Sequence, residues 1–101
     1  MEQEQKETLR SHASMIATMM SQLANENRLL IVCSLLDGPK SVKEIATSVP
    51  DITAPALSQH LHRLKDANLV CTRKEAQFVV YSICDKRIRR LMDVLKNEFC
   101  E

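Results

Sequence analysis

Between residues 41 and 67 the chain carries two helix starts set either side of a proline break, which leaves little choice of local structure. Ser41-Val42-Lys43-Glu44 is a capping box, in which the Ser and Glu side chains each satisfy the other's backbone donor. Val42, Ile45, Ala46 and Val49 then share one helical face, and Pro50 ends the helix. Thr53 is a second N-cap, Pro55 is tolerated in a first turn, and the spacing predicts a helix from about Ala54 to Ala67. Leu57, Leu61 and Leu64 point inward, whereas Ser58, Gln59, His62, Arg63 and Asp66 point out. Two helices joined by a short turn, the second polar on its outer face, form a helix–turn–helix pattern over residues 41–67.

The flanks complete a single domain over residues 1–101. Residues 1–8 are polar and expected to fray. Leu9, Ala13, Ile16, Met20 and Leu23 then make one amphipathic stripe over 9–24. Asn25 caps a second helix whose Leu29-Leu30-Ile31-Val32-Cys33 run, apolar all round, predicts burial of most of its surface. It stops at Asp37-Gly38-Pro39, where the glycine suits the helix exit. Leu69-Val70-Cys71-Thr72-Arg73 and Phe78-Val79-Val80-Tyr81-Ser82-Ile83 alternate as strands, so residues 69–83 read as a hairpin. Its tip, Lys74-Glu75-Ala76-Gln77, lacks Gly and Asn and leaves the turn type open. A turn centred on Glu75-Ala76 sets Cys71 opposite Val80, with Cys84 about four residues further on. Those two cysteines are therefore read as structural and not expected to bond. Asp85 caps a last helix, over 86–100, with Ile88, Leu91, Met92, Leu95 and Phe99 on one side. The expected fold is mainly α with a β-hairpin wing: four helices, two strands and a fifth helix, a winged helix–turn–helix.

Composition narrows the class. The chain has 101 residues, 45% of them hydrophobic and 27% charged, as in one soluble globular domain. No run of about 18 apolar residues suggests a membrane span. The acidic start, Glu2-Gln3-Glu4-Gln5-Lys6-Glu7, is unlike a signal peptide, so a cytoplasmic location is expected. Net charge is only +1, but residues 53–101 hold nine Lys/Arg against six Asp/Glu. The basic half is thus the half with the outward polar helix. Cys33, Cys71, Cys84 and Cys100 include no C-x-x-C pair, which argues against a zinc ribbon or a thioredoxin motif. No nucleophile–base pairing or glycine-rich phosphate loop is visible, so neither an enzyme nor a cofactor is expected.

Such a helix suits the DNA major groove. Thr53 and Ala54 stand at its start. Gln59 has the amide geometry to pair with adenine, and Ser58 contacts bases or a phosphate. Arg63 and His62 suit the phosphate backbone, and Arg73, Lys74 and Gln77 on the wing reach a neighbouring groove. The expected partner is double-stranded DNA. A winged helix that binds only protein stays open on periodicity alone.

Asn27-Arg28-Leu29-Leu30-Ile31, Ser41-Val42-Lys43-Glu44-Ile45, Ala56-Leu57-Ser58-Gln59-His60-Leu61 and Thr72-Arg73-Lys74-Glu75-Ala76-Gln77 through Tyr81 resemble the ArsR/SmtB family of bacterial regulators, in order, over about residues 9–100. The resemblance implies a homodimer built from the first and last helices, an inverted-repeat operator, and a signal that alters operator affinity. The family's thiolate metal site needs a Cys-x-Cys that residues 41–49 lack, and its zinc site needs His on a last helix that has none here. Instead, Cys33 after Arg28-Leu29-Leu30-Ile31-Val32, and Cys100 after Glu98-Phe99, resemble the two cysteines of the family's persulfide- and redox-sensing branch. That implies a reactive sulfur species or another oxidant as effector, with a disulfide or polysulfide bridge between Cys33 and Cys100 weakening the hold of a repressor. Taken without the resemblance, Cys33 reads as a core hydrophobe and Cys100 as a terminal thiol. A metal or metalloid site using Cys33, Cys100 and His12 is the alternative.

Overall fold

A computed structural model describes residues 2–100. Helices α1 (Gln3–Leu23), α2 (Glu26–Ser34), α3 (Val42–Ser48), α4 (Ala54–Asp66) and α5 (Lys86–Phe99) surround a small antiparallel sheet. Its strands β1 (Lys40–Ser41), β2 (Val70–Glu75) and β3 (Phe78–Ile83) lie in the order β1-β3-β2. The winged helix–turn–helix is therefore as the sequence predicts, with one addition. Lys40 pairs with Tyr81 and Ser41 with Val80, so the residue that caps α3 also belongs to the sheet. Among the described residues no helix is long and apolar enough to cross a membrane.

The caps form where local chemistry demands them. Glu44 N–H donates to Ser41 Oγ at 3.3 Å and Ser41 N–H to Glu44 Oε1 at 3.0 Å. The Ser41 backbone N–H, and then its hydroxyl, hold the Glu44 carboxyl below its usual range. Asn25 accepts from Arg28 N–H, Thr53 from Ala56 N–H, and Asp85 from the N–H groups of Arg87 and Ile88. The Arg87 guanidinium, helped by those N–H groups, keeps Asp85 ionised below the ordinary carboxylate range. At its far end α4 closes in a Schellman motif. Asn68 takes φ 63°, its N–H reaches Lys65 O at 3.0 Å, and Leu69 N–H reaches Leu64 O at 3.0 Å.

The core lies where α2, α3, α4, α5 and the base of the wing meet: Ile31, Val32, Leu35, Ile45, Val49, Leu57, Leu61, Leu64, Leu69, Val70, Ile83, Ile88 and Met92. Helix α4 buries Leu57, Leu61 and Leu64 as its periodicity suggests, but α2 and α3 contribute less of themselves. On α3 only Ile45 is buried, with Val49 just beyond it, while Val42 and Ala46 stay exposed. On α2 Ile31 and Val32 are buried, Cys33 is half-buried and Leu30 faces out. The helix also stops at Ser34, before the predicted exit. Gly38 lies in the turn after it with φ 138°, a conformation that a side chain rarely permits.

Helix α1 corrects the expectation of a frayed start. It begins at Gln3, because Glu2 N–H donates to Gln5 Oε1 at 3.3 Å and Lys6 N–H to Glu2 O at 3.0 Å. Only Met19 and Leu23 near its end are buried, and Leu9 is 50% exposed. The helix therefore projects from the body. The 15.0 Å radius of gyration, against about 13 Å for a compact chain of this length, reflects that projection.

The wing differs from expectation in register. Glu75 pairs with Phe78, so the turn is Ala76-Gln77, and every pairing moves two residues from the predicted one. Ala76 takes the positive φ (55°) usual for glycine at the first centre of a II′-type hairpin turn. Cys71 now faces Ser82, with Cys84 diagonal to it on the same side of the sheet. They form a disulfide with Cα atoms 5.7 Å apart, contrary to the sequence expectation.

Candidate nucleic-acid interface and thiol pairs

The core leucines of α4 fix which side it turns outward. Ser58, Gln59, His62 and Arg63 line one open cleft of about 480 Å³ on that side. Thr53 and Ala54 are exposed at the start of the helix. Thr53 Oγ1 is engaged by Ala56 N–H at 3.2 Å, which fixes its rotamer. His62 Nε2 lies 3.1 Å from Asp66 Oδ2, one helical turn on. The neighbouring His60 points elsewhere: half-buried, it meets Arg28 of α2.

Strand pleating separates the wing's polar side chains. Arg73, opposite Val80, lies on the face that carries Cys71 and Glu75, whereas Lys74, opposite Val79, lies on the other. Arg73 Nε donates to Glu75 Oε1 at 2.8 Å, and both side chains are about half exposed, so a phosphate competes easily with that carboxylate. Gln77 occupies the turn. The outer face of α4 and the wing thus expose hydrogen-bonding and cationic groups with few fixed partners.

The thiols fall into two separate pairs. Cys33 and Cys100 are free, the first half-buried on α2 and the second exposed just past α5. Together they line an apolar cleft of about 260 Å³ with Leu29, Leu30, Met92, Leu95 and Phe99, and with Lys96 at its edge. His12 belongs to a different cleft, with Glu4, Gln5, Thr8 and Leu9, and is not brought to these thiols. Among the described residues no three His, Cys, Asp or Glu side chains gather as a metal site. Cys71 and Cys84 make up the second pair, which the register error hid from the sequence.

Comparison with known proteins gives a consistent result. The profile of the bacterial regulatory proteins of the arsR family matches residues 25–72. The transcriptional activator HlyU of Vibrio cholerae is 34% identical over 93 residues, covering 92% of this chain and 85% of that protein. The biofilm growth-associated repressor of Agrobacterium fabrum is 35% identical, covering 91% and 78%. The solved structure of reduced HlyU superposes with a TM-score of 0.85, over 93% of this chain and 98% of that one. The homodimeric winged helix–turn–helix DNA-binding domain of Mb0332 from Mycobacterium bovis, 29% identical, gives 0.74 over 86% and 80%.

Proposed function

Since the chain belongs to the arsR family of transcriptional regulators, which bind DNA as homodimers, we propose that it is a repressor released from its operator when Cys33 and Cys100 are joined. The carrying observation is the shared apolar cleft: the two free thiols, 67 positions apart in sequence, line it from α2 and from the end of α5. That one relative is named a repressor supports the repressor part of this reading. That HlyU, named an activator, is described in a reduced form supports only the thiol control.

In this reading Thr53, Ala54, Ser58, Gln59, His62 and Arg63 meet the operator's major groove, while Arg73, Lys74 and Gln77 meet the flanking groove or its phosphates. The exposed apolar side chains of α1 and α5, among them Leu9, Met20 and Val94, pair the two copies. One thiolate attacks the outer sulfur of an organic persulfide, RSSH, giving a protein persulfide and RSH. The second attacks the protein-bound inner sulfur and expels sulfide. The net change is two thiols plus RSSH to a disulfide, RSH and hydrogen sulfide, with the thiols oxidised and the outer sulfur reduced. Such a bridge ties the core helix α2 to the dimer helix α5. Half-sites lie about one turn of DNA apart, roughly 34 Å, so a small rotation between protomers weakens both contacts together.

The test uses an operator duplex selected by the protein from a randomised pool. Organic persulfide is expected to release the unsubstituted protein, while Cys33→Ser and Cys100→Ser variants stay bound. Unchanged release in both variants would sink the reading. Release by Zn(II), Cd(II) or As(III) instead would make the effector a metal or metalloid.

A further inference from the structure

The geometry points to a second, independent thiol–disulfide site at the base of the wing, in which Cys84 attacks anionic low-molecular-weight sulfur carriers and Cys71 resolves the adduct. Cys71 lies on β2 and Cys84 directly after β3, on one face of the sheet, and both are exposed to solvent. Neither residue lines the cleft that holds Cys33 and Cys100. The two couples therefore sit in different surroundings, one apolar and one polar.

What surrounds Cys84 says which reagent it meets. A surface cleft of about 480 Å³ is lined by Ile83, Cys84, Lys86, Arg89, Arg90 and Asp93, three cations against one carboxylate. Arg89 is held in place by donating to Leu36 O at 3.1 Å. Nearby cations favour a thiolate and attract a carboxylate-bearing thiol carrier. Cys71 does not line this cleft, so it takes the resolving role. When reduced, the Cys84 thiol has an acceptor at hand in Asn68 O, 3.8 Å from its sulfur. Asn68 is the left-handed residue that closes α4, so the couple touches the wing, the exit of α4 and the entry to α5.

The step balances as follows. Cys84 thiolate takes the outer sulfur of an anionic RSSH, releasing RSH and leaving a persulfide on Cys84. Cys71 thiolate then attacks the inner sulfur of that persulfide, forming the Cys71–Cys84 bond and expelling the outer sulfur as hydrogen sulfide. Two protein thiols are oxidised and one sulfane sulfur is reduced. The product is the disulfide present in the structure, which ties β2 to the residue before the α5 cap.

The test is made in full-length protein carrying Cys33→Ser and Cys100→Ser, which leaves only the wing pair. Its outcome is therefore separate from the fate of the Cys33–Cys100 reading. After phosphine reduction, glutathione persulfide is expected to remove two hydrogens by intact mass and to release one hydrogen sulfide. Cysteamine persulfide, which carries no carboxylate, is expected to react about tenfold more slowly, a gap that closes in high salt or with Lys86→Glu and Arg90→Glu. Adding Cys71→Ser should trap a persulfide on Cys84. The unsubstituted protein, mapped by protease digestion, should show the same Cys71–Cys84 linkage, which guards against misfolding of the variant. Two thiols that stay alkylatable after treatment in both proteins would overturn the site. Equal rates with both carriers would overturn the role of the basic cleft, and a Cys84 left unmodified in the Cys71→Ser variant would overturn the assigned nucleophile.

Discussion

Arg28 Nη1 lies 3.4 Å from His60 Nδ1, joining the core helix α2 to the outward helix α4. A guanidinium only donates, so His60 must accept at Nδ1 and carry its proton on Nε2. Arg28 is itself anchored by Nε donating to Gln22 O at 2.7 Å, and by its backbone N–H donating to Asn25 Oδ1 at 3.1 Å. Burial, and then the charges of Arg28 and Arg63, hold His60 below its ordinary value of 6.5. The folded state therefore binds this proton less readily than the unfolded chain. Stability from this group is complete above about pH 6.5 and falls as pH drops below it toward the depressed folded value. A His60→Gln variant should lose that part of the acid dependence in urea midpoints measured from pH 7.5 to 5. An unchanged slope would mean the contact is not kept in solution.

The DNA face divides into base and backbone contacts, which salt separates. Gln59→Ala should cost about 1–3 kcal/mol on the selected operator and little on random duplex. Arg73→Ala should weaken both alike and reduce the salt slope of binding by about one. Fluorescence anisotropy at several salt concentrations measures both. If neither substitution moves affinity or slope, α4 and the wing serve some partner other than DNA.

The apolar side chains left bare on α1 and α5 predict where the second copy sits. Leu9 is 50% exposed and Val94 56%. Leu9→Glu combined with Val94→Glu should shift the sedimentation mass from dimer toward monomer and weaken operator binding, since each protomer then holds one half-site alone. A dimer of unchanged stability would move the interface to another face.

Ala76 holds φ 55° at the tip of the wing. Left-handed backbone costs a residue with a Cβ roughly 1–2 kcal/mol, and glycine's larger unfolded-state entropy offsets roughly half of that. Ala76→Gly is therefore expected to raise stability by under about 1 kcal/mol in a urea titration. A clear loss would mean that the turn is not Ala76-Gln77.

The same residue marks where the sequence stopped being readable. Ser41-Glu44, Thr53 and Asp85 are legible because a cap is settled within four residues. The wing is set by a turn whose usual marker, glycine or asparagine, is missing, so the register came out two residues away. A shift of two keeps every side chain on its own face, and the alternation of Phe78 to Ile83 gave no warning. It does place Cys71 opposite Ser82 instead of Val80, and with that comes a disulfide that the sequence does not lead one to expect. Periodicity picked out Leu23 and the half-buried Ile16 on α1, but it missed Met19, which is buried while the expected Met20 is exposed. Nor could it show that most of the stripe has nothing in the same chain to pack on. That Cys33 and Cys100 line one cleft was foreshadowed only by family resemblance, because nothing local relates residues on α2 to the end of α5.

Tyr81 lies in the middle strand of the sheet, with Lys40 on one side and Thr72 on the other. The chain has no tryptophan and no other tyrosine. Its tyrosine emission therefore originates at one half-buried point of the wing, next to the strand that leads into α3. The protein carries its own optical probe there, and changes at the wing become visible without attaching a dye.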